Sequence, residues 1–347
     1  MRSVALGLAS VLGLSGCNGD PGGGDDGRAH FVETGQIYEI RSLGAHLDQF
    51  DERVSFGSLA DILVTPSGYF VADGLNGRIV LLDRSLNPVR ISGRDGDGPG
   101  EYRFPSRMDY AGEQILVVDV GAGRASYLSP DGDFVRSQLM PGNASDAAVH
   151  PDLGLLVAGD AFVDHYLARV TARGNVAFGR IPDELRPDPE GPFQLRTDLV
   201  TVSDDGLIHV LDQDQLALVS FDAEGTLVSV LFLPKEMRDL RLRTNRETIE
   251  AFGGPERVLG TQFVSSLRPL EDGRLFARIT SENTIGLFLD VERYEAARLA
   301  VPAEREDWLW MLSSAVYLDG MNRAVLTEGL KAAGLLTANI ELTDPGG

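Results

Sequence analysis

Three observations predict an all-β chain. From Ile37 onward, short apolar runs are split by Pro, Gly, Asn and Asp turn residues. Runs with the period of an amphipathic helix are scarce. The apolar runs also group in fours, and the groups recur: the pattern ending at Asp73 returns at Asp119, 46 residues on. Four strands in a repeat of about 40–50 residues mark a propeller, because one such sheet cannot bury both faces alone but a ring of them can. The expected architecture is a six-bladed β-propeller of four-stranded antiparallel blades.

The first unit, residues 62–92, parses as four strands. They cover 62–65, 69–72, 78–82 and 88–91, with turns at Pro66-Ser67-Gly68, Asp73 to Gly77 and Asn87-Pro88. Met108–Gln138 and Leu199–Leu233 repeat it. Their second strands, "YFVAD", "ILVVD" and "IHVLD", end at Asp73, Asp119 and Asp212. Ten residues later a turn former closes the third strand, at Asp83, Ser129 and Asp222. Arg78 and Arg124 also coincide, each five residues after the aspartate. Fainter copies lie at Ala148–Ile181 and Val264–Val301, and a degraded sixth begins near Ala315. Ile37–Gly44 precedes the first full unit and is expected to supply the outer strand of the last blade, leaving fewer open edges. The aspartates at 73, 119 and 212 read as turn residues at a fixed offset.

Three segments fall outside the repeat. Arg180–Asp198 is a Pro-rich connection. Lys235–Gly260 reads as a helical insertion, with Thr244 and Glu247 at capping-box spacing and Gly253-Gly254-Pro255 as its stop. Its expected place is the propeller rim, as a cap, a lid or a partner site. Glu328–Ala338 is a short helix or a loop.

Composition narrows the class. Fifty-two acidic against 31 basic residues give a formal charge of −21. A field of that sign repels nucleic acid and anionic headgroups and keeps the protein soluble. Nucleic acid is therefore not expected as a partner. Five dispersed histidines, His30, His46, His150, His165 and His209, show no zinc-type spacing. With a single cysteine, Cys17, no disulfide forms within the chain, so the core alone must hold the fold.

The first 17 residues read as an address. Arg2 is followed by an apolar run, Val4–Leu14, too short to span a membrane and suited to an export signal. Leu14-Ser15-Gly16-Cys17 resembles the bacterial lipobox. That resemblance implies lipidation of the Cys17 thiol and cleavage just before it. Asn18, rather than Asp, then favours the outer membrane in a Gram-negative host. Asn18–His30 is rich in Gly, Pro and Asp, and residues 18–36 read as a flexible tether. A single propeller domain is expected over 37–347.

"GDGPGEYRFP", Gly96–Pro105, resembles the signature of the bacterial six-bladed β-propeller lipoproteins, a group related to the NHL-repeat propellers. The signature residues here are Gly96, Gly98, Pro99, Gly100, Glu101 and Pro105. The resemblance is strong over 37–140, reduces to period alone over 145–235 and is weak beyond 260. It implies fold and export and little chemistry.

Chemical readings of the same stretch fail on residue type. A phosphate loop lacks its lysine, lacks a following helix and would face two carboxylates. An EF-hand counted from Asp95 has Pro99 at position 5 and Ser106 where a bidentate Glu is needed. The chain has no Gly-x-Ser-x-Gly elbow. The stretch therefore reads as the turn from the rim of one blade to the axis of the next, with Glu101 bonded to a neighbouring blade through Arg78, Arg107 or Arg124. One constellation remains: Asp61, Asp109, Asp146 and Asp198 fall at or near the starts of innermost strands. They either ring the channel mouth, where they could hold Ca²⁺ or a cationic ligand, or simply cap their own turns. No cofactor is expected beyond that Ca²⁺.

Three functions compete. The first is a membrane-anchored binding or scaffolding module, monomeric, in the periplasm or on the cell surface, for a protein or small ligand. The second is a Ca²⁺- or Zn²⁺-dependent lactonase- or lyase-type enzyme with its site at the central channel. The third is a purely structural envelope protein.

Overall fold

The computed structural model describes residues 28–47, 52–159, 161–186, 196–239, 241, 263–281, 284–301, 315–318, 323–327 and 335–343. Cys17, residues 242–260 of the insertion and 328–334 lie outside them.

Apolar runs with turn residues at their ends become strands throughout. The N-terminal strand is β1 (Val32–Leu47). Four meanders follow. The first is β2 (Leu59–Thr65), β3 (Gly68–Asp73), β4 (Arg78–Leu82) and β5 (Pro88–Ser92); the second is β6 (Pro105–Ala111), β7 (Gln114–Asp119), β8 (Arg124–Leu128) and β9 (Phe134–Leu139). The third is β10 (Ala144–His150), β11 (Gly154–Gly159), β12 (His165–Thr171) and β13 (Gly174–Arg180). The fourth is β14 (Leu199–Val202), β15 (Ile208–Asp212), β16 (Ala217–Phe221) and β17 (Leu227–Phe232). Each meander is a separate four-stranded antiparallel sheet with its strands in chain order. The remaining strands are β18 (Val264–Pro269), β19 (Leu275–Ser281), β20 (Thr284–Asp290), β21 (Glu295–Ala300), β22 (Ala315–Leu318), β23 (Arg323–Thr327) and β24 (Leu335–Thr343).

The expectation of six blades is corrected here to five sheets. β18–β21 and β22–β24 belong to one eight-stranded sheet, with β1 between them. β1 pairs antiparallel with β24, as expected of Ile37–Gly44. Its other edge pairs parallel with β21, from Val32 opposite Glu295 to Glu39 opposite Ala300. That second ladder fuses what the repeat counts as two blades.

Second and third strands are buried on both faces, so they read as unbroken apolar runs: all of β3, β15 and β16 is buried. Fourth strands such as β5 and β9 are largely exposed. The core therefore lies between sheets. Phe70, Ile79, Tyr102, Met108 and Val117 fill the first joint, and Tyr166, Val210 and Phe221 the third. Each such side chain contributes about 1.5–3 kcal/mol on burial. Leu47, Phe56, Ile62 and Leu335 join the last strand to the first sheet, which closes the ring without a disulfide. His209 is a core residue between Ser203 and Ser220, and burial lowers its pKa to about 4.

Candidate functional site

In a four-stranded meander the second-to-third turns and the links to the next sheet share one end. The starts of β2, β6, β10 and β18 lie at that end. In each of these strands a β-bulge lies near the start: between Leu59 and Asp61, Pro105 and Arg107, Ala144 and Asp146, and Val264 and Ser266. The first residue after the bulge pairs with the penultimate residue of the second strand, except in β19, where it pairs with Arg278. That position holds Asp61, Arg107, Asp146 and Ser266, and its counterpart in β14 is Leu199. Two residues further along are Leu63, Asp109, Ala148, Thr201 and Arg268. The four aspartates expected to form a ring thus occupy different levels: Asp61 and Asp146 share one, Asp109 is a pleat deeper, and Asp198 precedes its strand.

What they bind also differs from a metal ring. Asp61 is fully buried, and its Oδ2 accepts the Met108 N–H at 2.7 Å from the next inner strand. The same oxygen receives Arg268 Nη2 at 2.7 Å, while Arg268 Nη1 lies 3.4 Å from Asp109. Arg268 comes from β18, so one guanidinium ties the last sheet to the first two across the mouth. The other oxygen of Asp61 has no hydrogen-bond partner among the described residues. Burial raises the pKa of Asp109, an effect Arg268 opposes. Asp146 accepts the N–H of Ala147 at 2.9 Å and, across the joint, of Val200 at 3.1 Å. Its burial outweighs the nearby Arg107 and Arg268 and pushes its pKa up to about 6. Asp198 accepts the Gln213 N–H at 3.2 Å and pairs with Arg196 at 2.5 Å. Burial pushes it up to about 7. Among the described residues no three His, Cys, Asp or Glu side chains converge to hold a metal ion.

The repeated aspartates clasp the path into each sheet. Asp73 accepts the N–H groups of Gly57 and Ser58 at 2.8 and 3.1 Å, and also Asn76 and Arg78 at 2.8 and 2.9 Å. Asp119 does the same for Arg103 and Phe104, at 3.0 and 2.9 Å. Asp212 departs from the pattern: it takes Asp214 and Gln215 from its own turn and the Tyr166 hydroxyl from β12 at 2.8 Å.

The signature stretch folds back on itself. The Glu101 N–H donates to Gly98 O at 3.1 Å, closing a turn with Pro99 second and Gly100 third. Gly100 has φ +74°, the positive value that a type II turn requires there. Glu101 Oε2 accepts the Gly98 N–H at 2.8 Å, and a Cβ on Gly96 would come within 2.2 Å of that carboxylate. The glycines make room for the acid. Of the expected partners Arg78, Arg107 and Arg124, the last meets Glu101, at its backbone and not at its carboxylate. The carboxylate pairs with Arg94 of its own loop at 2.7 Å, and Arg124 reaches the Glu101 carbonyl instead. The Gly98 N–H, then Arg94, hold the Glu101 pKa below the usual range. Arg78 is held by Asp73 and the Ser55 carbonyl, and Arg107 donates to the Ser106 carbonyl. Tyr102, fully buried, fills the joint between the first two sheets, and Pro105 opens β6.

Sequence reasoning missed Arg268 and Tyr166. The available signal for Arg268 was its position: it lies where the other inner strands carry Leu63, Asp109, Ala148 and Thr201, so that one acid and one base share a level.

No helix among the described residues is long and apolar enough to cross a membrane. No protein-family model matches the sequence, and no curated protein matches it. Solved structures share the fold at low identity. A putative exported protein of Bacteroides fragilis is 13% identical, with TM-score 0.57, over 91% of this chain and 98% of that one. A protein of unknown function from Bacteroides thetaiotaomicron is 10% identical, with TM-score 0.54, over 88% and 76%. A streptogramin B lyase is 10% identical, with TM-score 0.51, over 88% and 98%. This chain is similar to all three in being an all-β propeller of four-stranded antiparallel blades.

Proposed function

We propose that this protein is an exported, lipid-anchored binding module that presents one propeller face to a protein or small ligand. The carrying observation is the chemistry of the mouth. Asp61, Asp109, Asp146 and Asp198 are each engaged by an arginine, a backbone N–H or both. Asp61 and Asp146 are used for joining sheets and Asp198 for holding its own link, and a metal at these oxygens would have to displace those partners. The link at 93–104 leaves from the same end, as do residues 181–186 and 233–239, and together they supply a loop surface there. The similarity to an exported protein and the Leu14–Cys17 pattern support export and anchoring. Fold alone does not assign activity, so the lyase likeness adds no chemistry.

Calorimetric titration of the purified chain with Ca²⁺ and Zn²⁺, read beside its melting temperature, tests this reading. No binding heat and no thermal shift are expected. Stoichiometric binding that stabilises the fold would favour the metalloenzyme instead. Cys17→Ala should move the protein from the membrane to the soluble fraction; unchanged fractionation would remove the anchor from the proposal.

A further inference from the structure

The turns between second and third strands are built alike in the first two sheets. Asp73 accepts the N–H groups of Gly57 and Ser58, and Asp119 those of Arg103 and Phe104. Five residues after each aspartate stands an arginine, Arg78 or Arg124. Arg78 Nη2 donates to Ser55 O at 2.7 Å, and Arg124 Nη2 donates to Glu101 O. Each carbonyl lies two residues before the first clasped N–H, so the two bonds are equivalent.

The other terminal nitrogen differs between the two. Arg124 Nη1 donates to Asp97 O at 2.8 Å, so the signature loop fills that place with a backbone oxygen. Arg78 Nη1 makes no hydrogen bond among the described residues; only its Nε and Nη2 are held, by Asp73 and Ser55. Arg78 lines instead an open pocket of about 600 Å³ at the mouth end of the first sheet. Arg53 joins it from the link before β2, Asn76 from the turn, and Ile91 and Arg94 from the end of β5 and the loop beyond. Arg53 Nη1 donates to Asn87 Oδ1 at 3.3 Å, and Arg94 holds Glu101 through Nε at 2.8 Å and Nη2 at 2.7 Å. Glu52, which is exposed, is the one acid among the described residues that line the pocket. Asp73 and Glu101 balance two of the three arginines from outside the wall. An arginine so placed still takes oxygen: Arg124 lies 4.0 Å from Asp119 and yet donates to two carbonyls. Arg78 Nη1 is therefore fitted for an acceptor oxygen, and the pocket admits one from outside.

We propose that this pocket binds a small organic oxyanion, a carboxylate or a phosphate monoester, with Arg78 as the fixed fork and Arg53 and Arg94 as the outer cations. A guanidinium matches the planar or tetrahedral oxygens of such groups. Asp73 is fully buried and holds Arg78 from behind, so little side-chain freedom is lost on binding. Ile91, 44% exposed, offers apolar contact to the carbon part of the ligand. The formal charge of −21 opposes an anion, so the contact must be local and sensitive to salt. The inference gives the ligand of the binding module its chemistry, and it rests on that reading.

Calorimetric titration of the purified chain at low salt with succinate and with inorganic phosphate, against chloride at equal ionic strength, tests the pocket. Saturable binding of at least one oxyanion is expected. A preference for succinate assigns a carboxylate ligand, and a preference for phosphate a phosphoryl one. Arg78→Lys keeps the charge and loses the fork, and should weaken binding about tenfold. Arg94→Gln should weaken it about two- to fivefold, and Glu52→Gln should tighten it by a similar factor. No binding beyond that of chloride overturns the proposal. So does an affinity unchanged in both Arg78→Lys and Arg94→Gln. If Arg78→Lys does not fold, an unchanged affinity in Arg94→Gln overturns it alone. Failure here removes the pocket and leaves the binding module standing, whereas the metal titration tests the module itself.

Discussion

Arg268 and Arg196 each serve a buried aspartate at the same end of the propeller, yet they hold it differently. Arg268 reaches from β18 to Asp61 and Asp109, on two other sheets. Arg196 reaches two residues along its own link, to Asp198. The first pair closes a ring; the second steadies a local path. The difference teaches that a buried acid's role follows from the sequence distance of its cation. It also predicts which acid can escape by taking a proton. Burial pushes Asp198 up to about 7, so it can answer the loss of its arginine by taking a proton.

The largest effect should come from Arg268→Met. It leaves Asp61 buried without its cation, and breaking such a pair costs about 3–5 kcal/mol. Arg196→Met should cost clearly less, about half of that or below, because Asp198 can protonate in response. Urea denaturation at pH 7 measures both. Equal losses, or a loss below about 1 kcal/mol for Arg268→Met, would dissolve the distinction between ring closure and local pairing.

A smaller effect is on pH dependence. Asp146 and Asp198 have folded-state values raised above the ordinary 3.8, to about 6 and about 7. Their neutral forms are favoured by folding, so their contribution is complete below about pH 4 and is lost as pH rises through 6 and 7. Wild-type stability from these groups should therefore decline from pH 4.5 to pH 8. Each unit of displacement is worth about 1.4 kcal/mol. Asp146→Asn should shrink the decline by on the order of 1–3 kcal/mol, measured as the difference in unfolding free energy between pH 5 and pH 8. A steeper decline in the variant would reverse the assigned cause.

Asp73→Ala should fall between Arg268→Met and the pH effect. Two N–H groups, Asn76 and Arg78 lose one buried acceptor, for a cost of about 2–4 kcal/mol. Asp119→Ala should match it within about 1 kcal/mol, because Asp119 clasps the same step into the second sheet. A large inequality in melting experiments would mean that the repeat shares a residue but not a task.

How far these features were legible depends on their range. The 46-residue step and the matched Asp73 and Asp119 encode local turns, and local turns are written in neighbouring residues. The parallel ladder between β1 and β21 pairs residues some 260 positions apart, and no periodicity announces it, so the blade count was misread. The four channel aspartates stood out because they fall at or near the starts of innermost strands, and the structure sets them at different levels. Their partners did not stand out. Arg268 sits in "SSLRPL", which reads as an ordinary strand end, and its meaning appears only when the ring brings β18 opposite β2 and β6. Gly96 is a further case: its need for space is set by the carboxylate of Glu101, five residues on, and emerges only once the loop has turned.

The smallest effect is expected at Glu101, the acid of the most recognisable motif. Its carboxylate is a fifth exposed and its partner Arg94 four-fifths exposed, so water and salt screen the pair. The contact with the neighbouring sheet runs instead through backbone: Arg124 grips the carbonyls of Asp97 and Glu101, and Tyr102 fills the joint. Glu101→Gln keeps an acceptor for the Gly98 N–H and should leave the melting temperature unchanged within error. Arg124→Met, which removes the grip on the backbone, should lower it measurably. The reverse order would place the clasp in the carboxylate after all and make Glu101 the counterpart of Asp61 at the rim.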